Sequence, residues 1–360
     1  MKVLVITNHS YMLWQFRREL LQELQKHCDV VIATPFSGHE DDFSALGFKM
    51  IPIEMNRRGE KIIEELRLIK KYKKIISEEK PDKVITISIK PNCYAGHICR
   101  QKHIPYFSIV QGLGTAFQSE KTAFVATLLY KWGTKKAQKL IFENTGNRDE
   151  FINRGIVSKE RAVVMPGAGV NLDFFSYSNY PSEENGLRFL YLGRIMKEKG
   201  IEELFDAWTR LKKKYGDKVK FDVVGFYEDG YSSRMEKLVG AGIAEFYGFQ
   251  DDPRPYYAAA HCVILPSWHE GMSNVLLEAS ATGRAIITTD IPGCREALDE
   301  GKNGFLTQKQ SVDSIENAIE KFIALTTEDR KAFGIYGRQK MEASFDRKNV
   351  INGMLDLILS

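Results

Sequence analysis

Short apolar runs rich in valine, isoleucine and phenylalanine alternate with helical patterns along the whole chain, and this alternation restricts the fold more than any other feature. The first series is VLVI (3–6), VVIA (30–33), VITIS (84–88), FSIV (107–110), LIF (140–142) and VVM (163–165). A strand that is apolar on both faces needs cover on both, which a parallel sheet flanked by crossover helices supplies. From Pro166 to Gly186 glycine, proline, serine and asparagine interrupt the rhythm, and a second series follows: FLYLG (189–193), FDVVG (221–225), EFYGF (245–249), CVILP (262–266) and IITT (286–289). The spacing predicts two doubly wound α/β domains, 1–165 and 187–345, joined by a linker at 166–186. The closing segment DRKNVINGMLDLIL (346–359) reads as an amphipathic helix, and residues 346–360 are expected to return to the first domain.

With 360 residues, 43% hydrophobic and 27% charged, the chain can bury a core in each domain. No run approaches the eighteen uncharged apolar residues of a spanning helix, and MKVLVITNHS enters a strand pattern without signal-peptide architecture, so a cytoplasmic location is expected. The five cysteines (Cys28, Cys93, Cys99, Cys262, Cys294) have no CxxC or zinc-type spacing and read as free thiols. Net charge is +4, divided unevenly: residues 1–165 carry 27 Lys+Arg against 18 Asp+Glu, and residues 166–360 carry 24 against 29. The basic half suits an anionic surface. Nucleic acid is excluded as a partner because no RNA-binding motif or interleaved aromatic platform accompanies the charge.

The chemistry concentrates in PSWHEGMSNVLLEASATGRAIITT (266–289), a strand, loop, helix and strand. Gly271 permits close backbone approach, Ser273 or Asn274 can cap the helix, and the amides of Met272 to Val275 are expected to point outward as a seat for a diphosphate. A helix dipole offers an anion only about 0.3–1 kcal/mol at an exposed site, so cationic side chains are also required. LGRIMKEKG (192–200) supplies Arg194 and Lys199 in the loop after the second domain's first strand. With no Asp-x-Asp and no carboxylate cluster suited to magnesium, this pair takes the place of a metal, and no cofactor or metal is expected.

Glu270 and Glu278, with seven residues between them, and the Gly193–Arg194 and Lys199–Gly200 steps upstream, resemble the retaining glycosyltransferases of family 4. The resemblance implies the GT-B fold, two Rossmann-like domains facing across a cleft. It implies Glu270 at the donor-sugar hydroxyls, Glu278 at the ribose, and Arg194 and Lys199 at the diphosphate of a nucleotide sugar, with UDP favoured. Arg194, Lys199 and Glu270 are then the catalytic candidates, and Glu278, Gly271, Met272, Ser273, Asn274, Gly193 and Gly225 the donor-binding ones. VMPGAGVNLDFF (164–175) resembles the family's interdomain segment.

In such an enzyme the first domain takes the acceptor. The loop TNHSYMLWQFRREL (7–20) lacks a glycine-rich dinucleotide fingerprint, which argues against NAD, and offers Asn8, His9 and Ser10, the last a candidate N-cap. ISIKPN (87–92) and IVQGLGTAF (109–117) resemble a subgroup that builds bacterial capsule, O-chain or glycoprotein-glycan precursors on polyprenyl diphosphate, making Lys90, Gln111 and Gly112 acceptor or cleft candidates. Many members carry histidine where Gln111 stands. RRGEKIIEELRLIKKYKKII (57–76) sets Arg67, Lys70, Lys71 and Lys74 at i, i+3, i+4 and i+7, with Ile62, Leu66 and Ile69 as an apolar stripe. TAFVATLLYKWGTKKAQK (122–139) mixes Phe124, Leu128, Leu129 and Trp132 with lysines, and together these predict peripheral attachment to the cytoplasmic membrane. The expected reaction moves a hexose or N-acetylhexosamine from a UDP-sugar to a lipid-linked saccharide with retention. Two alternatives remain open: a nonhydrolysing UDP-sugar 2-epimerase on the same scaffold, and a noncatalytic sugar-nucleotide-binding subunit.

Overall fold

The computed structural model describes residues 1–55, 62–117, 119–228 and 230–360. They form two compact units, Met1–Ala168 with Asn349–Ser360, and Gly169–Lys348. In the first, strands β1 (Lys2–Ile6), β2 (Asp29–Thr34), β3 (Lys49–Pro52), β4 (Lys83–Ile87), β5 (Tyr106–Val110), β6 (Lys139–Phe142) and β7 (Ala162–Val164) make one parallel sheet in the order β3-β2-β1-β4-β5-β6-β7. Helices α1 (Ser10–Gln25), α2 (Glu40–Ala45), α3 (Ile62–Glu79), α4 (Gly96–Gln101), α5 (Glu120–Gly133) and α6 (Thr145–Asn153) connect them. Alternation along one strand shows why both faces are apolar. Val3 and Val5 pack against Leu13, Leu20 and Leu24 of α1, whereas Leu4 and Ile6 share a cluster with Leu68, Tyr72 and Tyr130.

The second unit has a six-stranded parallel sheet, β10-β9-β8-β11-β12-β13, from β8 (Leu187–Leu192), β9 (Val219–Val224), β10 (Glu245–Phe246), β11 (Cys262–Leu265), β12 (Ala285–Thr289) and β13 (Gly304–Thr307). Its helices are α7 (Ile201–Tyr215), α8 (Ser232–Gly240), α9 (Arg254–Ala259), α10 (Asn274–Ala281), α11 (Val312–Ala324) and α12 (Thr327–Ser344). Helix α13 (Arg347–Leu359) follows, and its Ile351, Met354 and Ile358 complete the core beneath Val3 and Val5 of the first unit. In each sheet the order reverses beside the first strand, between β1 and β4 and between β8 and β11. Loops leaving the carboxyl ends there diverge and leave a crevice.

Three local expectations differ from the structure. Strands β3 and β13 are absent from the sequence reading because edge strands, half covered, lack a continuous apolar run. The segment 166–186 does not hang as a linker: from Gly169 onward it belongs to the second unit. There the Val170 amide donates to the Phe345 carbonyl (2.8 Å), and buried Arg284 donates to the carbonyls of Ser178 and Asn179 (2.8 Å each). On α3 the core face is Leu68, Tyr72, Ile75 and Ile76, while Ile62 and Leu66 of the expected stripe are exposed. Residues 57–61 of that basic segment lie outside the described residues. Among the described residues no helix is long and apolar enough to cross a membrane.

Candidate functional site

At the reversal point of the second sheet, the loop after β8 is forced against two neighbours by glycines. Gly225, at the end of β9, has φ +152°, and a Cβ there would sit 1.8 Å from the Gly193 carbonyl oxygen. Gly200 has φ +70°, and its Cβ would come within 2.1 Å of the Pro266 carbonyl at the end of β11. Only glycine fits at either place. Between these pins, the Tyr191 hydroxyl donates to the Arg194 carbonyl (2.6 Å), and the Trp268 amide donates to the Glu198 carbonyl (2.9 Å). The side chain of Arg194, 45% exposed, pairs with Glu228.

Lys199 forms an ion pair with Glu270, the two side chains 17% and 14% exposed, and Ser267 Oγ donates to the same carboxylate oxygen at 2.7 Å. Burial pushes the Glu270 carboxyl up, but Lys199, Ser267 and His269 outweigh it and hold the group below the usual glutamate range, so Glu270 stays ionised. Burial also pushes His269 below the ordinary histidine value.

Helix α10 begins beside this pair. Ser273 is its N-cap, with Oγ accepting from the Leu276 amide at 3.4 Å. The Ser273 amide is spent on the Gly293 carbonyl (2.8 Å), which corrects the expectation that all four amides from Met272 to Val275 point outward. Gly293, with φ +89°, approaches so closely that a Cβ would lie 2.5 Å from the Gly271 carbonyl. Glu278 sits one turn into the helix, 8% exposed, accepting from the Tyr257 hydroxyl at 2.8 Å. Desolvation raises its carboxyl to about 7, against the opposing effects of Tyr257 and Arg347.

At the reversal point of the first sheet, a cavity of about 220 Å³ is lined by Asn8, Met55, Ser88, Ile89, Lys90, Gln111 and Gly112. Ser88 holds the left-handed φ of +82°, a strained conformation for a residue with a side chain. Its hydroxyl lies 2.9 Å from Asn8 Oδ1 and 3.3 Å from Gln111 Oε1. Lys90 pairs with Glu65, which also accepts from the Tyr94 hydroxyl (2.6 Å). Beyond Met55 a second groove of about 690 Å³ is lined by Phe36, Glu64, Arg67 and Lys71, among others.

The family model "Glycosyl transferases group 1" matches residues 177–340, and "Glycosyl transferase 4-like" matches residues 2–144. The chain belongs to the family 4-type glycosyltransferases. This glycosyltransferase is 25% identical over 349 residues, 92% of its length and 90% of the relative's, to N,N'-diacetylbacillosaminyl-diphospho-undecaprenol alpha-1,3-N-acetylgalactosaminyltransferase of Campylobacter jejuni. It is 27% identical over 235 residues, 62% of its length and 61% of the relative's, to the capsular polysaccharide biosynthesis glycosyltransferase CapM of Staphylococcus aureus. Its fold is that of the GT-B enzymes. The crystal structure of Anabaena HepE in complex with UDP superposes with a TM-score of 0.80 at 17% identity, covering 99% of both chains.

In the glycosyltransferase, Gly193, Arg194, Lys199, Gly225, Glu270, Gly271, Met272, Ser273, Asn274 and Glu278 all lie in the loops and helix starts at the carboxyl ends of β8, β9 and β11, or on α10 just beyond. Asn8, Lys90, Gln111 and Gly112 share the first-unit cavity, but His9 and Ser10 do not line it. His9 Nδ1 lies 2.7 Å from Ser37 Oγ, and the buried Ser10 hydroxyl bonds Glu40 (2.7 Å) and Ser37 (3.0 Å). Ser10 is not a cap: it is the first residue of α1, whose N-cap is His9, and its hydroxyl anchors the loop after β2. Sequence reasoning passed over Ser88, Ser267, Glu228 and Tyr257. Ser88 closes the VITIS pattern and Ser267 directly follows CVILP, and a place at a strand's carboxyl end is the one signal that could have marked them. Tyr257 and Glu228 are brought in by other elements and left none.

Proposed function

We propose that this glycosyltransferase transfers a hexose or N-acetylhexosamine from a UDP-sugar to a polyprenyl-diphosphate-linked saccharide, with retention of configuration and without a metal ion, in bacterial surface-glycan assembly. The observation that carries the reading is the Lys199–Glu270–Ser267 cluster beside the Ser273-capped start of α10, at the reversal point of the second sheet. Support for the substrates comes from the UDP in the HepE structure and from the undecaprenol-linked acceptor in the name of the Campylobacter relative.

Arg194, Lys199 and the amides of Met272, Asn274 and Val275 meet the diphosphate, Glu270 the sugar hydroxyls, and Glu278 the ribose. The bond from the anomeric carbon to the diphosphate breaks as the acceptor hydroxyl oxygen bonds to the same face. The hydroxyl proton passes to the departing diphosphate. Catalysis is chiefly electrostatic, since the cations and amides are already oriented where negative charge develops. The cavity of Asn8, Ser88, Lys90 and Gln111 receives the acceptor, and Arg67, Lys70, Lys71 and Lys74 of α3 attract the enzyme to the anionic cytoplasmic leaflet.

Purified enzyme given a panel of UDP-sugars and a polyprenyl-diphosphate-linked acceptor releases UDP and yields an α-linked product from an α-linked donor, and EDTA leaves the rate unchanged. A product of inverted configuration overturns the front-side route. Epimerised UDP-sugar formed without acceptor overturns the transfer reading.

A further inference from the structure

We propose that Ser88 is a positioning residue for the acceptor sugar. Its hydroxyl fixes which way the amides of Asn8 and Gln111 face, so that the cavity they line offers one hydrogen-bond donor and one hydrogen-bond acceptor to a single sugar hydroxyl. The inference deepens the transfer reading above and rests on it for the acceptor's place in this cavity. Strand order brings the three residues together. β4 lies between β1 and β5, and Ile6 is in register with Thr86, so Asn8, two residues on, comes level with Ser88. On the other side the Ser88 amide donates to the Ile109 carbonyl (3.4 Å), and Gln111 follows two residues later. Ser88 also heads the helical segment that runs into α4, since its carbonyl accepts from the Asn92 amide (2.9 Å). A serine in that place ordinarily has an extended backbone and caps the helix with its hydroxyl. Here φ is +82°, and the hydroxyl is directed to Asn8 and Gln111 instead. The strained backbone serves the cavity rather than the helix.

The single hydroxyl proton decides the polarity. Ser88 Oγ lies 2.9 Å from Asn8 Oδ1 and 3.3 Å from Gln111 Oε1, but it can donate to only one of them. The shorter contact takes the proton, because it falls within the O–H···O range and the longer one does not. Two oxygens with no proton between them repel, so the Gln111 amide makes a half-turn and donates from Nε2 to Ser88 Oγ. Hydrogen bonds then run from Gln111 to Ser88 to Asn8, and the Gln111 carbonyl oxygen and the Asn8 NH2 are left for a ligand. The outcome is the same if Asn8 turns instead, because one hydroxyl satisfies one amide oxygen and one amide nitrogen. A sugar hydroxyl donates to the free oxygen and accepts from the free nitrogen. A phosphate or carboxylate would be repelled by that oxygen, and Lys90 does not reverse the selection because its charge is paired with Glu65. At about 220 Å³ the cavity is smaller than the roughly 300–1,000 Å³ of sites for drug-sized ligands, a size suited to one terminal sugar. Since the reacting hydroxyl gives its proton to the diphosphate, the hydroxyl held here is a neighbour of it on the same sugar.

The test is initial-rate kinetics of the full chain on a short-chain, water-soluble polyprenyl-diphosphate-linked saccharide, and on analogues that each lack one non-reacting hydroxyl of the terminal sugar. Ser88→Ala frees both amides to rotate and should raise the acceptor KM about tenfold, with the donor KM changed less than about twofold because the donor loops belong to the second unit. Ser88→Gly also lacks the hydroxyl but relieves the left-handed backbone, so it should melt several degrees above Ser88→Ala and show the same raised acceptor KM. On one deoxy analogue the parent should lose about tenfold in KM, and Ser88→Ala should lose nothing further on that analogue, since the two changes remove the same interaction. An acceptor KM that recovers in Ser88→Gly, in step with its melting temperature, makes the role structural and overturns the inference. So does a parent that transfers sugar while Ser88→Ala keeps the parent's acceptor KM, or while its losses add to those of every deoxy analogue; the transfer reading then stands. A parent that transfers sugar to no acceptor sinks the transfer reading, and the inference falls with it.

Discussion

Glu278→Gln tests the buried carboxyl of α10 in a way that separates its charge from its shape. In the folded enzyme desolvation raises this group from 4.5 to about 7. A carboxyl whose folded value lies above its unfolded one stabilises fully below the unfolded value, and that contribution is lost as pH rises through the folded one. The window therefore runs from pH 4.5 to about 7, and a shift of that size corresponds to roughly 3 kcal/mol as an upper bound at 1.36 kcal/mol per unit. Glutamine keeps an acceptor for the Tyr257 hydroxyl at 2.8 Å and does not titrate. Without donor, the variant should match the parent or fall slightly below it at pH 5, and exceed it by several degrees in melting temperature at pH 8, scanned by circular dichroism in matched buffers. The same substitution should raise the donor KM about tenfold, because the ribose hydroxyls lose a charged acceptor. A melting-temperature difference that stays constant from pH 5 to 8 would refute the assignment of a raised, desolvated carboxyl.

Lys199→Ala leaves Glu270 buried without its cation, and should cost on the order of 3–5 kcal/mol of stability in addition to turnover. Adding Glu270→Gln should recover much of the melting temperature while activity stays lost; a double variant no more stable than Lys199→Ala would argue against a desolvated pair. Arg194→Ala removes a half-exposed side chain, so its melting temperature should barely move while turnover on a soluble acceptor falls about 10²–10³-fold. Normal turnover in that variant would remove Arg194 from the mechanism. Gly225→Ala forces a Cβ against the Gly193 carbonyl at a positive φ, and should destabilise by about 1–3 kcal/mol and weaken UDP binding measured by calorimetry; a neutral result would show the loop contact to be loose.

The doubly wound architecture was legible because buried parallel strands leave continuous apolar runs, as VLVI and CVILP do, and because a crossover needs a helix between each pair. The donor-side residues were legible for a related reason: Arg194, Lys199, Glu270 and Glu278 fall at strand ends and helix starts, where the order of elements alone determines what gathers at the reversal point. Periodicity misled on α3, where Ile62 and Leu66 are as regularly spaced as Leu68 and Tyr72 yet stand exposed. An amphipathic pattern says that a face exists but not which neighbour covers it. The partner of each charge was likewise invisible: Lys199 with Glu270 and Lys90 with Glu65 are pairs between segments far apart in the chain. Burial and pairing are set by what packing brings within a few ångströms. That is why the identity of the site residues could be read along the chain, while their protonation, and the turning of Ser10 and His9 away from the cavity, were decided only when distant loops met.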